Sequence, residues 1–159
     1  MREVVHRLES LYGLLAKVAS YGQSPLLLFV RLYWGWQFAQ SGWGKLHNLS
    51  GVTEFFTTLG LPMPHVTAVG IASLEFFGGI LLALGLFSRP LCLVLTINMI
   101  MAYATADREA LLSVFSDPGK FYNADPYTFL AASVLVLVFG PGKASVDALL
   151  GKYFEKQTS

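Results

Sequence analysis

The stretch Pro25–Lys45, PLLLFVRLYWGWQFAQSGWGK, decides the fold class. It is apolar for most of its length. At ~1.5 Å rise per residue it can cross the ~30 Å of hydrocarbon in a bilayer as one helix. Pro25 suits a first helical turn, so a first crossing is expected over residues 25–46. Working outward, comparable runs occupy about residues 66–86 and 90–106. GLFSRP between them leaves room only for a tight hairpin. A fourth run, residues 126–140, is shorter. Asp125 reads as its N-cap, Pro126 as its first residue and Gly140-Pro141-Gly142 as its stop, which leaves ~21 Å of helix. It spans only if the membrane thins or if Phe121 and Tyr122 extend it. The expected architecture is all-α: a single membrane domain over residues 1–159, built as an integral four-helix bundle.

Composition agrees with that expectation. The chain has 159 residues, 54% hydrophobic and only 13% charged, where soluble domains carry roughly a quarter charged. Disorder and nucleic-acid binding are disfavoured by this shortage of charge, and a net charge of +1 gives no pull towards a polyanion. Cys92, the single cysteine, excludes an intrachain disulfide or a CxxC pair and reads as a small buried hydrophobe. The opening MREVVHRLESLYGLLAKVAS does not read as a secretory signal, because charge recurs through Lys17.

Four crossings put both termini on one side, which then holds Arg2, Arg7, Lys17, Arg89, Lys143, Lys152 and Lys156. The other side holds only Lys45, Arg108 and Lys120 among several acids. This bias orients both termini to the cytoplasm. Interfacial helices are expected at three places. Val4, Leu8, Leu11, Leu15 and Val18 form one stripe in residues 1–20. Val52, Phe55, Phe56 and Leu59 repeat the pattern in the first outer loop. In residues 145–156, Ser145 caps a helix whose Val146, Leu149, Leu150, Tyr153 and Phe154 share a face. Such helices either lie flat on a bilayer or cover the ends of the bundle. The second outer loop, Asp107–Asp125, has room for a short helix over Glu109–Phe115.

Polar groups inside the crossings are costly, at least about 3 kcal/mol for an isolated ion, and so should face one another. Arg31, Gly35, Phe38, Gly42 and Lys45 form one seam of the first crossing, and its two glycines invite close helix approach. Ala68, Ala72, Glu75, Gly79 and Leu82 form a matching stripe on the second, and Asn98, Ala102 and Thr105 one on the third. The seams are expected to meet, with Arg31 reaching Glu75 and Asn98 nearby. That pair reads in two ways: as an ion pair that fixes helix register, or as the lining of a ligand pocket. Lys45 and His47, just after Trp43, read first as interfacial anchors. His47 and His65 lie in loop sequence without helical spacing, so no metal site is expected. Gly140-Pro141-Gly142-Lys143 lacks the preceding glycine of a phosphate loop.

Taken together, these residues resemble the DoxX family of small four-helix membrane proteins. The likeness is carried by Arg31…Gly35…Phe38…Gly42…Lys45, by Phe55-Phe56…Gly60-Leu61-Pro62, and by Glu75…Gly78-Gly79…Leu82…Gly85 with Ser88-Arg89. It closes on Gly140-Pro141-Gly142-Lys143-Ala144-Ser145-Val146-Asp147 and covers about residues 25–147. The resemblance implies a four-helix bundle in the bacterial inner membrane, and Gly35, Gly42, Gly78 and Gly79 are expected to be its helix-packing glycines. Relatives that gave the family its name are subunits of a membrane thiosulfate:quinone oxidoreductase, so it also implies a redox link. No intrinsic electron carrier is evident in the chain, which leaves a quinone or a partner subunit to carry electrons. The expected function is a small subunit of a redox or respiratory assembly, with Arg31, Glu75 and Asn98 as polar core and Lys45 at the outer mouth. The alternatives are a non-catalytic scaffold or assembly factor and, less favoured, a small-solute transporter that would need a homo-oligomer.

Overall fold

The computed structural model describes residues 2–158, with the side chains of residues 3–5 and 158 outside the description. Val4 of the amino stripe is therefore outside it. Among the described residues all regular structure is helical: α1 Arg2–His47, α2 Leu49–Thr58, α3 Pro64–Leu84, α4 Ser88–Thr105, α5 Arg108–Leu112, α6 Pro118–Tyr122, α7 Pro126–Phe139 and α8 Val146–Thr158. α3 packs along α1 and α4, α4 along α7, and α7 returns to α1, while α2 lies against α3. Of these helices α3 is the one both long and apolar enough to cross a membrane by length and composition, and α7 is a shorter apolar helix.

Two expectations about helix limits are corrected. Pro25 does not begin a helix. It lies inside α1, which runs unbroken for 46 residues, or ~69 Å. The amino stripe and the first apolar run are thus one rod, whose residues 6–23 are exposed. Phe121 and Tyr122 do not extend α7. They belong to α6, and Asn123–Asp125 separate the two. Tyr103 holds α6 in place, its hydroxyl donating to Phe121 O at 2.7 Å and its ring stacked on that of Phe121.

Glycine sets the closest contact in the fold. A Cβ on Gly42 would lie 2.2 Å from Phe76 N, one on Gly35 2.7 Å from Gly79 O, and one on Gly79 2.4 Å from Ala39 N. The α1 and α3 backbones touch at these points, and no other residue fits. Gly78 differs: it faces the flexible end of Leu91, 3.3 Å from such a Cβ. Behind this seam Phe38, Leu82, Cys92, Leu95, Met99 and Val136 form the core, with Phe129 edge-on to Phe38 at 4.6 Å. The outward faces are apolar too, with Phe29, Leu32, Trp36, Phe77, Ile97 and Val138 each about half exposed or more.

A second knot ties the opposite end. Gly85 closes α3 in the left-handed region (φ +70°), and a Cβ there would strike the Arg31 guanidinium. Arg31 is fully buried, and its Nη2 donates to Ala144 O. The positive charge sits at the carboxyl end of α3, where the helix dipole favours it. Asp147 complements it from α8, accepting from the N–H groups of Phe87 and Ser88, each at 2.8 Å, at the start of α4. Lys143 N donates to Ser24 Oγ at 2.9 Å, and Ser145 Oγ accepts from Ala148 N at 3.1 Å, capping α8.

The glycine seam makes a testable contrast. Gly42→Ala and Gly79→Ala should each cost about 1–3 kcal/mol by overpacking against backbone, read by thermal unfolding in detergent. Gly78→Ala should cost clearly less. Equal losses at all three positions would contradict the seam.

Candidate functional site

The polar centre forms where α1, α3 and α4 meet, one turn beyond the Gly42–Phe76 contact. Glu75 is 2% exposed. Its Oε2 accepts from Ser41 Oγ at 2.8 Å and from Lys45 Nζ, and its Oε1 accepts from Asn98 Nδ2 at 3.3 Å. Lys45 Nζ also donates to Ser41 Oγ at 3.2 Å, and the lysine side chain stays 31% exposed. Three donors on one carboxylate satisfy a group that would otherwise be expensive to bury.

The expected Arg31–Glu75 pair is not made, and this is a correction. Antiparallel packing sets Gly35 against Gly79 and Gly42 against Ala72 and Phe76, so Arg31 falls against Gly85. The partner of Glu75 is Lys45, and Asn98 lies beside them. Ser41 was not singled out from sequence, although it lies one turn before Lys45 on the same side of α1. His47 and His65 do not lie in loops: His47 is the last residue of α1 and His65 the second of α3, both exposed, with His47 Nδ1 2.9 Å from Trp43 O and its ring 4.1 Å from that of Trp43. Among the described residues no three His, Cys, Asp or Glu side chains are grouped to hold a metal.

Two cavities flank the ion pair, and Lys45, Glu75 and Ala102 line both. The larger, about 400 Å³, lies between α2, α3 and α4 and is walled by apolar side chains, with Asn98 at its polar end. Phe55, Val94, Ile97 and Met101 line it and are about half exposed, which puts its opening on the side of the molecule between α2 and α4. The smaller, about 300 Å³, reaches Ser41, Asp107 and Asp125. Asp125 corrects a further expectation: its backbone is already helical and its side chain caps nothing. Burial pushes the Asp107 carboxyl above the ordinary carboxylate range, and the charge of Asp125 adds to the push.

The DoxX family profile matches residues 26–108, a span that holds Arg31, Ser41, Lys45, Glu75 and Asn98. The chain belongs to the DoxX family. It is similar to the inner membrane protein YphA of Escherichia coli (strain K12), with 28% identity over 124 residues, 77% of this chain and 88% of that protein. No solved structure matches. The chain is thus a DoxX-family membrane protein, and the half-exposed apolar residues on its outward faces are suited to contact with lipid. Within this DoxX protein the match reaches Asp107 but excludes Asp125 and Asp147.

Two measurements check the geometry. In a double-mutant cycle, Lys45→Met and Glu75→Gln should couple by more than the ~1 kcal/mol of an exposed pair and less than the ~3–5 kcal/mol lost on breaking a fully buried one. Arg31→Met and Glu75→Gln should instead be additive within about 0.5 kcal/mol. Asp107 gives a pH dependence. A carboxyl raised in the folded chain binds more protons folded than unfolded, so stability falls as pH rises from the ordinary carboxylate range through the folded value. Asp107→Asn should therefore raise the melting temperature at neutral pH, with the gain vanishing in acid. A gain of constant size across pH would refute that assignment.

Proposed function

We propose that this DoxX protein is a multi-pass protein of the bacterial inner membrane that binds the headgroup of a quinone, or a molecule of like chemistry, as a small subunit of a redox assembly. In this reading α1 from Pro25 onward, α3, α4 and α7 cross the bilayer as a four-helix bundle with both termini cytoplasmic. The clustering of Arg89 and Lys143 at the Arg31 end supports the orientation. At ~21 Å, α7 is short for a bilayer. The aromatic group of Phe121, Tyr122 and Tyr127 at its start suits the interface, where such rings sit.

The observation that carries the reading is the laterally open apolar cavity that ends on Lys45, Glu75 and Asn98. Its ~400 Å³ lies within the range of small-molecule sites, which pair apolar walls with a few placed polar groups. A lipid-soluble ring can enter from the bilayer between α2 and α4. Its carbonyl oxygens can then accept from the Lys45 ammonium and the Asn98 amide, both at the polar end. Glu75 holds those two donors in position. Electrons would come from a partner subunit.

A second reading, a scaffold for other membrane proteins, is favoured by one observation: residues 6–23 of α1 are exposed and carry Leu8, Leu11, Leu15 and Val18. The test separates the two. A short-tailed ubiquinone analogue titrated into the protein in nanodiscs should quench tryptophan fluorescence saturably. Lys45→Met should weaken binding about tenfold, the ~1.4 kcal/mol of one charge-assisted hydrogen bond. Absence of saturable binding by folded protein would remove the quinone reading and leave the scaffold.

A further inference from the structure

The smaller cavity has a different chemistry from the ligand cavity. Its polar groups are graded by depth: Asp125 is exposed, Asp107 and Ser41 are half-buried, and Glu75 is buried. Phe38, Met99 and Phe129 form its apolar floor. Against three carboxylates it has one ammonium, Lys45, so its field attracts cations and repels anions. Its ~300 Å³ is room for a file of several waters, each taking about 30 Å³. On the other side of the ion pair the walls are mostly apolar. We propose that this cavity is a proton port: an aqueous vestibule through which protons reach and leave the Lys45–Glu75 pair from the Asp107–Asp125 end, while a lipophilic ligand occupies the opposite cavity.

The ligand half of that statement rests on the function proposed above, whereas the port stands on its own lining. The groups that face the pair are Ser41 and Lys45 from α1, Asn98 from α4, Asp107 after α4 and Asp125 before α7. A hydronium in the vestibule gives its proton to a Glu75 carboxylate oxygen and reverts to water. An O–H bond forms there, the carboxylate charge is lost, and Lys45 keeps its charge with Asp107 and Asp125 as counter-charges. The raised position of Asp107 suits a group that accepts and passes on protons.

Cysteine accessibility tests the port without any ligand. In a Cys92→Ala background in nanodiscs, Ser41→Cys should react with a hydrophilic cationic thiosulfonate about tenfold faster than with its anionic counterpart. Asp107→Asn with Asp125→Asn should erase that preference. Met99→Cys, on the floor, gives the same readout should Ser41→Cys fold poorly. Ile97→Cys, in the ligand cavity, should show no charge preference. A vestibule cysteine inert to both hydrophilic reagents in folded protein, or equally reactive with them, would overturn the port. Proton traffic is read by the infrared band of protonated Glu75, identified by its loss in Glu75→Gln. Its exchange in heavy water should slow about tenfold in the Asp107→Asn, Asp125→Asn variant. A Glu75 that stays ionised at every pH the fold survives would also overturn the proposal. Failure of quinone to bind, with these results intact, would remove only the ligand.

Discussion

The contact of two backbones at Gly42 and Phe76 governs the rest of the structure. A Cβ at residue 42 has nowhere to go, so α1 and α3 lie as close as helices can. Lys45 follows Gly42 by three residues and Glu75 precedes Phe76 by one. The closest approach of the helices therefore sits beside the ion pair and shortens the span that the lysine must reach across. Ser41 and Asn98 are neutral donors, so neither can replace the charge of Lys45 beside the buried carboxylate.

The other end of the same seam holds a buried cation, Arg31. Arg31 is held by the carboxyl end of α3, a backbone carbonyl of the 140–147 segment and the nearby charge of Asp147. Asp147 also satisfies two N–H groups where α4 begins. One closing segment of chain thus joins the ends of α1, α3 and α4. The fold keeps its two buried charges apart instead of pairing them with each other: three donors meet Glu75, whereas Arg31 donates to Ala144 O and its Nε and Nη1 are buried without a hydrogen bond.

Much of this was legible in the sequence. The helical segments, the glycine seam and the placing of Glu75 near Asn98 follow from spacing and from the cost of buried charge. The pairing of Arg31 did not: Arg31 and Glu75 do lie on the facing seams of α1 and α3, but a seam fixes which faces meet and not the register between them. The register set by Gly35 and Gly42 against α3 leaves Arg31 ten residues from Glu75 along that helix. The partners of Arg31 also come from a loop and α8, which no periodicity within the long helices reveals. Pro25 misled for a different reason: a proline at the edge of an apolar run fits a helix start, but here packing beyond it and a continuous helical segment before it carry α1 through.

Asp125 shows a local rule giving way to its surroundings. An Asp before Pro at the start of an apolar run is a strong capping signal. The backbone at Asp125 has instead turned helical, and the carboxylate caps nothing. A capping role would have drawn the side chain back onto α7. Released from it, the carboxylate lines the same cavity as Asp107 and Glu75, and its charge helps to hold Asp107 above the usual carboxylate range. The lost cap is a cost of about 1 kcal/mol to the helix. Here the departure from local consistency falls at a cavity that Asp125 lines together with Asp107, Ser41 and the buried Lys45–Glu75 pair.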